Sequence, residues 1–243
     1  IIAYEAVHEI NSWDELRARL APKDRRCFAF FHPAMQDEPI IFVEVALTKE
    51  IPSNIQNVLQ KERVFLEPEE AKAAVFYSIS NCQKGLTGIS FKNLKSFVTL
   101  SPIPGFRKWM RDKHPKLNLK IEKIKKSDQL SKIKDDLLTC LGEYFFKSER
   151  SDKMPNDPVA RFHLGNGASL EQINFLGDTS SNGIKLSGGL MVNYLYDLEK
   201  VEQNHETFVT EKKINISKNA KNSLIKYYNC LLYTSPSPRD DAT

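Results

Sequence analysis

The sequence predicts an α/β domain with a central mixed sheet flanked by helices, and three observations predict it. Two near-continuous apolar runs, residues 73–80 and 96–100, read as central strands, the first of them buried on both faces. Two strand-like runs, residues 26–31 and 40–47, bracket a turn-rich segment and read as an antiparallel hairpin with a long loop. Segments of helical period lie among the strands, above all residues 127–146, where Leu130, Ile133, Leu137, Leu138 and Leu141 recur at helical spacing. A hairpin, central strands and helices in one chain point to this class.

The elements follow in order. Ser12, with Glu15 three residues on, caps a short helix whose apolar face is Leu16 and Leu20, and Pro22 ends it. Residues 51–61 read as a helix capped by Ser53, with Ile55, Val58 and Leu59 as its stripe. The second central strand runs into Ser101-Pro102-Ile103-Pro104-Gly105, whose two prolines forbid further ladder pairing on that strand. Phe106 starts another helix. Residues 157–164 lead into a strand closed by Gly165-Asn166-Gly167, and residues 169–175 read as a short helix. The last strand, residues 190–198, puts Tyr194 and Tyr196 on one face.

With 243 residues, 41% hydrophobic and 27% charged, the chain has a globular composition and the length for one sizeable core. No apolar run approaches a membrane span, so the chain reads as soluble. The net charge of +4 is a weak excess concentrated in residues 113–134. That segment is too mixed in sign for a nucleic-acid arm and reads as a solvated helix face. Cys27, Cys82, Cys140 and Cys230 fit neither zinc nor disulfide spacing, which points to a reducing compartment. Residue 1 is not Met and reads as a truncation point, while residues 230–243 break composition abruptly and read as a non-native tail.

Four places could carry chemistry. Gln83-Lys84-Gly85-Leu86-Thr87-Gly88 follows the first central strand, and its glycines would let backbone N–H groups approach an anion; an ordinary turn is the alternative. Ser101 ends the second central strand, on the side where open α/β sheets bind ligands, unless it is only a strand-end cap. His163, between Phe162 and Leu164, is either a satisfied core histidine or a catalyst. Tyr194, Tyr196, Asn174 and Asp178 are open to packing or pocket readings. No Gly-x-Ser-x-Gly and no His-Glu-x-x-His is present, which argues against hydrolase and zinc-enzyme readings.

Strings at residues 25–33, 45–48, 76–80, 100–106, 158–164 and 189–194 stand in the order seen in malonyl-CoA decarboxylases. They include Leu100-Ser101-Pro102-Ile103-Pro104-Gly105-Phe106 and Pro158-Val159-Ala160-Arg161-Phe162-His163-Leu164. Over residues 3–228 the chain resembles that family. The resemblance implies a GNAT-like acyl-CoA domain that converts malonyl-CoA to acetyl-CoA and carbon dioxide. His163 is then the proton donor, Ser101 the proton acceptor or carboxylate contact, and Tyr196 a wall of the same pocket. A histidine with a pKa near neutrality suits that task. Thr87, Gly88, Ile89, Ser90, Phe91, Lys92 and Asn93 match the coenzyme A loop, with Ser90 where the family usually has a glutamate.

The thioester is itself the electron sink, so no metal or organic cofactor is implied, and neither is a nucleic-acid or membrane partner. Residues 1–22 correspond to the end of a preceding helical domain that supports homo-oligomers, and residues 23–229 to the catalytic domain. A cytoplasmic location is implied, or a mitochondrial or peroxisomal one in a eukaryote. Family members carry a helix of about 16 residues after the coenzyme A loop. Here only 15 residues, 81–95, separate the central strands, just enough for a parallel crossover. An acyltransferase on the same scaffold and a non-catalytic acyl-CoA-binding fragment are the competing readings. Product analysis with malonyl-CoA separates them.

Overall fold

The computed structural model describes residues 2, 5, 7–33, 35–81, 96–124, 126–147 and 150–227. The coenzyme A loop expected at residues 87–93, the rest of the crossover, Cys82 and residues 230–243 lie outside the described residues.

Helix α1 (Trp13–Leu20) starts as its sequence dictates, with Ser12 Oγ accepting the Glu15 N–H at 3.2 Å. Its buried Arg19 lies 3.4 Å from Glu44 and donates to the His8 and Glu9 carbonyls, which ties the N-terminal segment to the sheet. Glu44 is fully buried, and that burial pushes its carboxyl pKa up.

Strands β1 (Arg25–His32) and β2 (Met35–Thr48) form a hairpin, but the long loop is absent. His32 already pairs with Met35, and β2 runs through the segment assigned to the loop. Pro39 misled the reading because it removes a ladder donor. The ladder accommodates it opposite Phe31, between two register shifts. β2 pairs antiparallel with β3 (Ala73–Asn81), and β3 pairs parallel with β4 (Ser96–Thr99). Helix α2 (Ile55–Leu59) is shorter than expected and is capped by Asn54, not Ser53.

After β4 the chain makes one residue of irregular backbone and then β5 (Ser101–Pro102). Helices α3 (Phe106–Lys113) and α4 (Pro115–Glu122) follow. The long helix expected over residues 127–146 is two pieces, a 3-10 run Ser127–Ile133 and then α5 (Lys134–Phe146).

Two readings near the site are corrected. Residues 157–164 form helix α6 (Pro158–Gly165) and not a strand. Asp157 caps it by accepting the Ala160 N–H at 2.8 Å, and Pro158 suits the first helical turn. Gly167 turns the chain away with φ +83°, and a Cβ there would sit 2.2 Å from the Val201 carbonyl oxygen. Residues 169–174 form strand β6 (Ser169–Asn174) and not a helix. A bulge between Leu170 and Gln172 resets the alternation, so Leu170 and Ile173 both bury at a spacing that mimics a helix.

Helix α7 (Ser181–Ser187) leads to β7 (Met191–Tyr196), with α8 (Val201–Glu211) and α9 (Lys218–Ser223) after it. β7 takes β4 and β5 along one edge and β6 along the other, all antiparallel. Its two faces bury against different helices. Met191 and Leu195 pack with α2 and the Val75, Tyr77, Val98 and Leu100 face of the sheet. Val192 and Tyr194 pack into the largest core, with Phe106, Met110, Leu137, Leu141, Phe145 and Leu164. Helices therefore cover both faces of a mixed sheet, as the α/β reading requires. No helix among the described residues is long and apolar enough to cross a membrane.

Candidate active site

The site forms where the ladder between β7 and the β4–β5 line breaks. Phe97 pairs with Tyr196 and Val98 with Leu195; pairing resumes at Ser101 with Val192. The register is continuous, so Thr99 and Leu100 would face Tyr194 and Asn193. Side chains fill those rungs instead. The Tyr194 N–H donates to Thr99 Oγ1 at 3.2 Å, and the Thr99 carbonyl accepts Asn193 Nδ2–H at 2.9 Å. The Leu100 N–H continues the parallel ladder to the Phe76 carbonyl of β3 at 3.1 Å. Asn193 is fully buried and is held by Asn174 Nδ2, at 2.6 Å from its Oδ1.

Thr99 and Ser101, two residues apart in extended chain, point to the same face as Tyr194 and Tyr196. That face meets the last turn of α6, which carries His163. His163 Nε2 lies 3.2 Å from Ser101 Oγ, and Nδ1 lies 2.8 Å from the Tyr196 hydroxyl. Ser101 Oγ is also 2.9 Å from Thr99 Oγ1. The imidazole stacks on Tyr194 at 4.7 Å between ring centroids, and Tyr196 and Phe162 meet it edge-on. Ser101 is 6% exposed and His163 4%.

This burial sets the electrostatics. Desolvation pushes the His163 pKa down to about 3, so the ring is neutral at pH 7. That departs from the near-neutral value expected of the donor. The aromatic wall supplies no anion to stabilise the imidazolium. Burial pushes the Tyr196 and Tyr194 phenols up, so both stay protonated. Asp157, at the other end of α6, is raised by burial to about 6.

The structure thus brings Ser101, His163 and Tyr196 together, and sets Tyr194 against the same ring. Asn174 belongs to the amide chain behind the broken rung. Asp178 is elsewhere: it accepts from Gln56 Nε2 at 2.8 Å and from the Ser180 N–H at 2.9 Å, joining α2 to the start of α7. The sequence reading missed Thr99; its only signal was its place two residues before Ser101 on the same strand face.

A family model, the malonyl-CoA decarboxylase C-terminal domain, matches residues 1–231. Mitochondrial malonyl-CoA decarboxylase of the goose Anser anser anser is 35% identical over 265 residues, covering 88% of this chain and 52% of that protein. That of Mus musculus is 32% identical, covering 93% of this chain and 56% of its own length. The chain therefore spans about half the length of these curated relatives. The aligned 265 residues exceed the 243 of this chain, so the goose protein carries residues within the match that have no counterpart here. Among solved structures, malonyl-CoA decarboxylase from Rhodopseudomonas palustris superposes with a TM-score of 0.80 at 44% identity, covering 91% of this chain and 61% of that one. The Agrobacterium vitis enzyme gives 0.82 at 46% identity, with 92% and 63% covered.

Proposed function

Because the chain belongs to the malonyl-CoA decarboxylase family, we propose that it converts malonyl-CoA to acetyl-CoA and carbon dioxide with Ser101 and His163 as the reacting pair. The observation that carries this reading is the 3.2 Å contact between Ser101 Oγ and His163 Nε2 in a buried aromatic setting at the end of a central strand.

Breaking the carboxylate's C–C bond releases carbon dioxide and leaves the electron pair on the α-carbon, shared with the thioester oxygen as an enolate. The site must desolvate the carboxylate, steady the enolate and deliver a proton to carbon. The Ser101 hydroxyl is placed to hold the carboxylate. An anion brought beside His163 raises the ring's pKa, so the complex takes up one proton from solvent. Once carbon dioxide leaves, the negative charge sits on the enolate, beside an imidazolium held in an apolar wall that disfavours it. Such a ring is a strong acid, suited to protonating the α-carbon, and it returns to the neutral starting state. The coenzyme A contact is assigned to residues 87–93. The mitochondrial names of the curated relatives support a mitochondrial place of action.

The test is product analysis with malonyl-CoA in the presence of a chelator. Acetyl-CoA should form without an acceptor amine. Ser101→Ala and His163→Asn should each lower kcat by about 100-fold or more with little change in KM, whereas His205→Asn should not. Turnover that requires an amine or a divalent metal, or full activity in either variant, overturns the proposal.

A further inference from the structure

We propose that Thr99 is a positioning residue that fixes the direction of the Ser101–His163 hydrogen bond, with serine donating to Nε2 and the ring's own proton on Nδ1. Hydrogen-bond donors in the broken rung set this direction. Thr99 is 2% exposed, and its Oγ1 has two polar neighbours: the Tyr194 N–H at 3.2 Å and Ser101 Oγ at 2.9 Å. A backbone N–H can only donate, so Tyr194 occupies a lone pair of Oγ1. Either hydroxyl could donate across the 2.9 Å contact between Ser101 and Thr99; because a buried hydroxyl left without an acceptor is strongly disfavoured, the threonine's hydrogen goes to Ser101 Oγ.

The rest of the chain follows. With Ser101 Oγ accepting from Thr99, its hydrogen points to His163 Nε2, 3.2 Å away. Nε2 must then be bare, and the neutral ring carries its hydrogen on Nδ1, where the Tyr196 oxygen accepts it at 2.8 Å. The opposite polarity, Nε2–H to serine and serine to threonine, would strand the Thr99 hydrogen in the core. Asn193 contributes by donating to the Thr99 carbonyl, the ladder partner of the Tyr194 N–H, while that N–H meets the side-chain oxygen. The consequence for the reaction rests on the proposed function. When a carboxylate arrives, the Ser101 hydrogen can swing to it and expose a bare Nε2 on the substrate side, ready for the incoming proton.

Imidazole nitrogen NMR on the 15N-histidine-labelled chain reads the polarity directly, with His163 identified by its loss in His163→Asn. The expected wild-type ring carries its proton on Nδ1. Thr99→Val, which keeps shape and removes the hydroxyl, should mix the tautomers and lower kcat on the order of 10–100-fold at nearly constant KM. Thr99→Ser should restore both. A wild-type ring protonated on Nε2 overturns the proposal, even if Thr99→Val fails to fold. So does Thr99→Val with an unchanged tautomer, or Thr99→Ser as impaired as Thr99→Val, which would assign the effect to the methyl group. If the wild type turns over no malonyl-CoA, the functional reading fails on its own and the tautomer measurements still decide the role of Thr99.

Discussion

Acidification is the perturbation that addresses His163 most directly. The unfolded chain binds a proton at this residue near pH 6.5, whereas the folded protein resists until about pH 3. Between those values the unfolded state holds the extra proton, so this residue's contribution to stability rises with pH and is lost as pH falls. The full shift corresponds to about 5 kcal/mol of resistance to charging. Between pH 7 and pH 5 alone, about 2 kcal/mol of stability should disappear through this one ring.

Asp157 opposes that loss. Its carboxyl, raised to about 6, binds a proton in the folded state that the unfolded chain has released above 3.8. The two slopes nearly cancel between about pH 4 and pH 6, so the wild-type curve by itself reveals neither group. The informative quantity is the difference between wild type and His163→Gln in urea unfolding at pH 7, 6 and 5. Whatever fixed cost the lost ring imposes, the variant should recover about 2 kcal/mol relative to wild type over that range. Two curves offset by a constant would refute the reasoning and show that His163 titrates alike in both states.

Asp157→Asn should show the opposite sign. The amide keeps the cap on α6 and removes a buried charge, so above pH 6.5 the variant should be more stable by about 3 kcal/mol, the gain vanishing toward pH 4; parallel urea curves would argue against it. Tyr196→Phe should strand the Nδ1–H of His163 and cost about 1–3 kcal/mol in a thermal or urea melt, and an unchanged melt would mean that another acceptor serves the ring.

Element type was legible where burial was symmetric and misread where the backbone broke its own period. Ala73–Asn81 shows a strand in its sequence because both faces bury. In β6, the bulge after Leu170 produces a spacing of three between buried residues, which is a helix's signature in one dimension. In α6 the helix signals were present, Asp157 as cap and Pro158 after it, but a stretch of only eight residues fits either period. The turn that follows owes its shape to Gly167, whose left-handed φ serves a helix exit as well as a strand end.

The site divides along the same line. Ser101 could be marked from its strand-end place, and the two tyrosines from their alternation, because both inferences use only period and position. Whether His163 was a core residue or a partner of Ser101 depended on where α6 docks, which no local pattern contains. Thr99 is the extreme case. In an unbroken ladder it would be an ordinary strand residue with its carbonyl bonded to the Tyr194 N–H. Here Asn193, fully buried and 94 positions away in the chain, donates to that carbonyl, and the Tyr194 N–H meets the threonine hydroxyl. In the polarity proposed for the Ser101–His163 bond, a buried asparagine on the opposite face of β7 therefore takes part. A sequence reading that looks for reactive groups passes over it, because its chemistry is to be a good amide in the right rung.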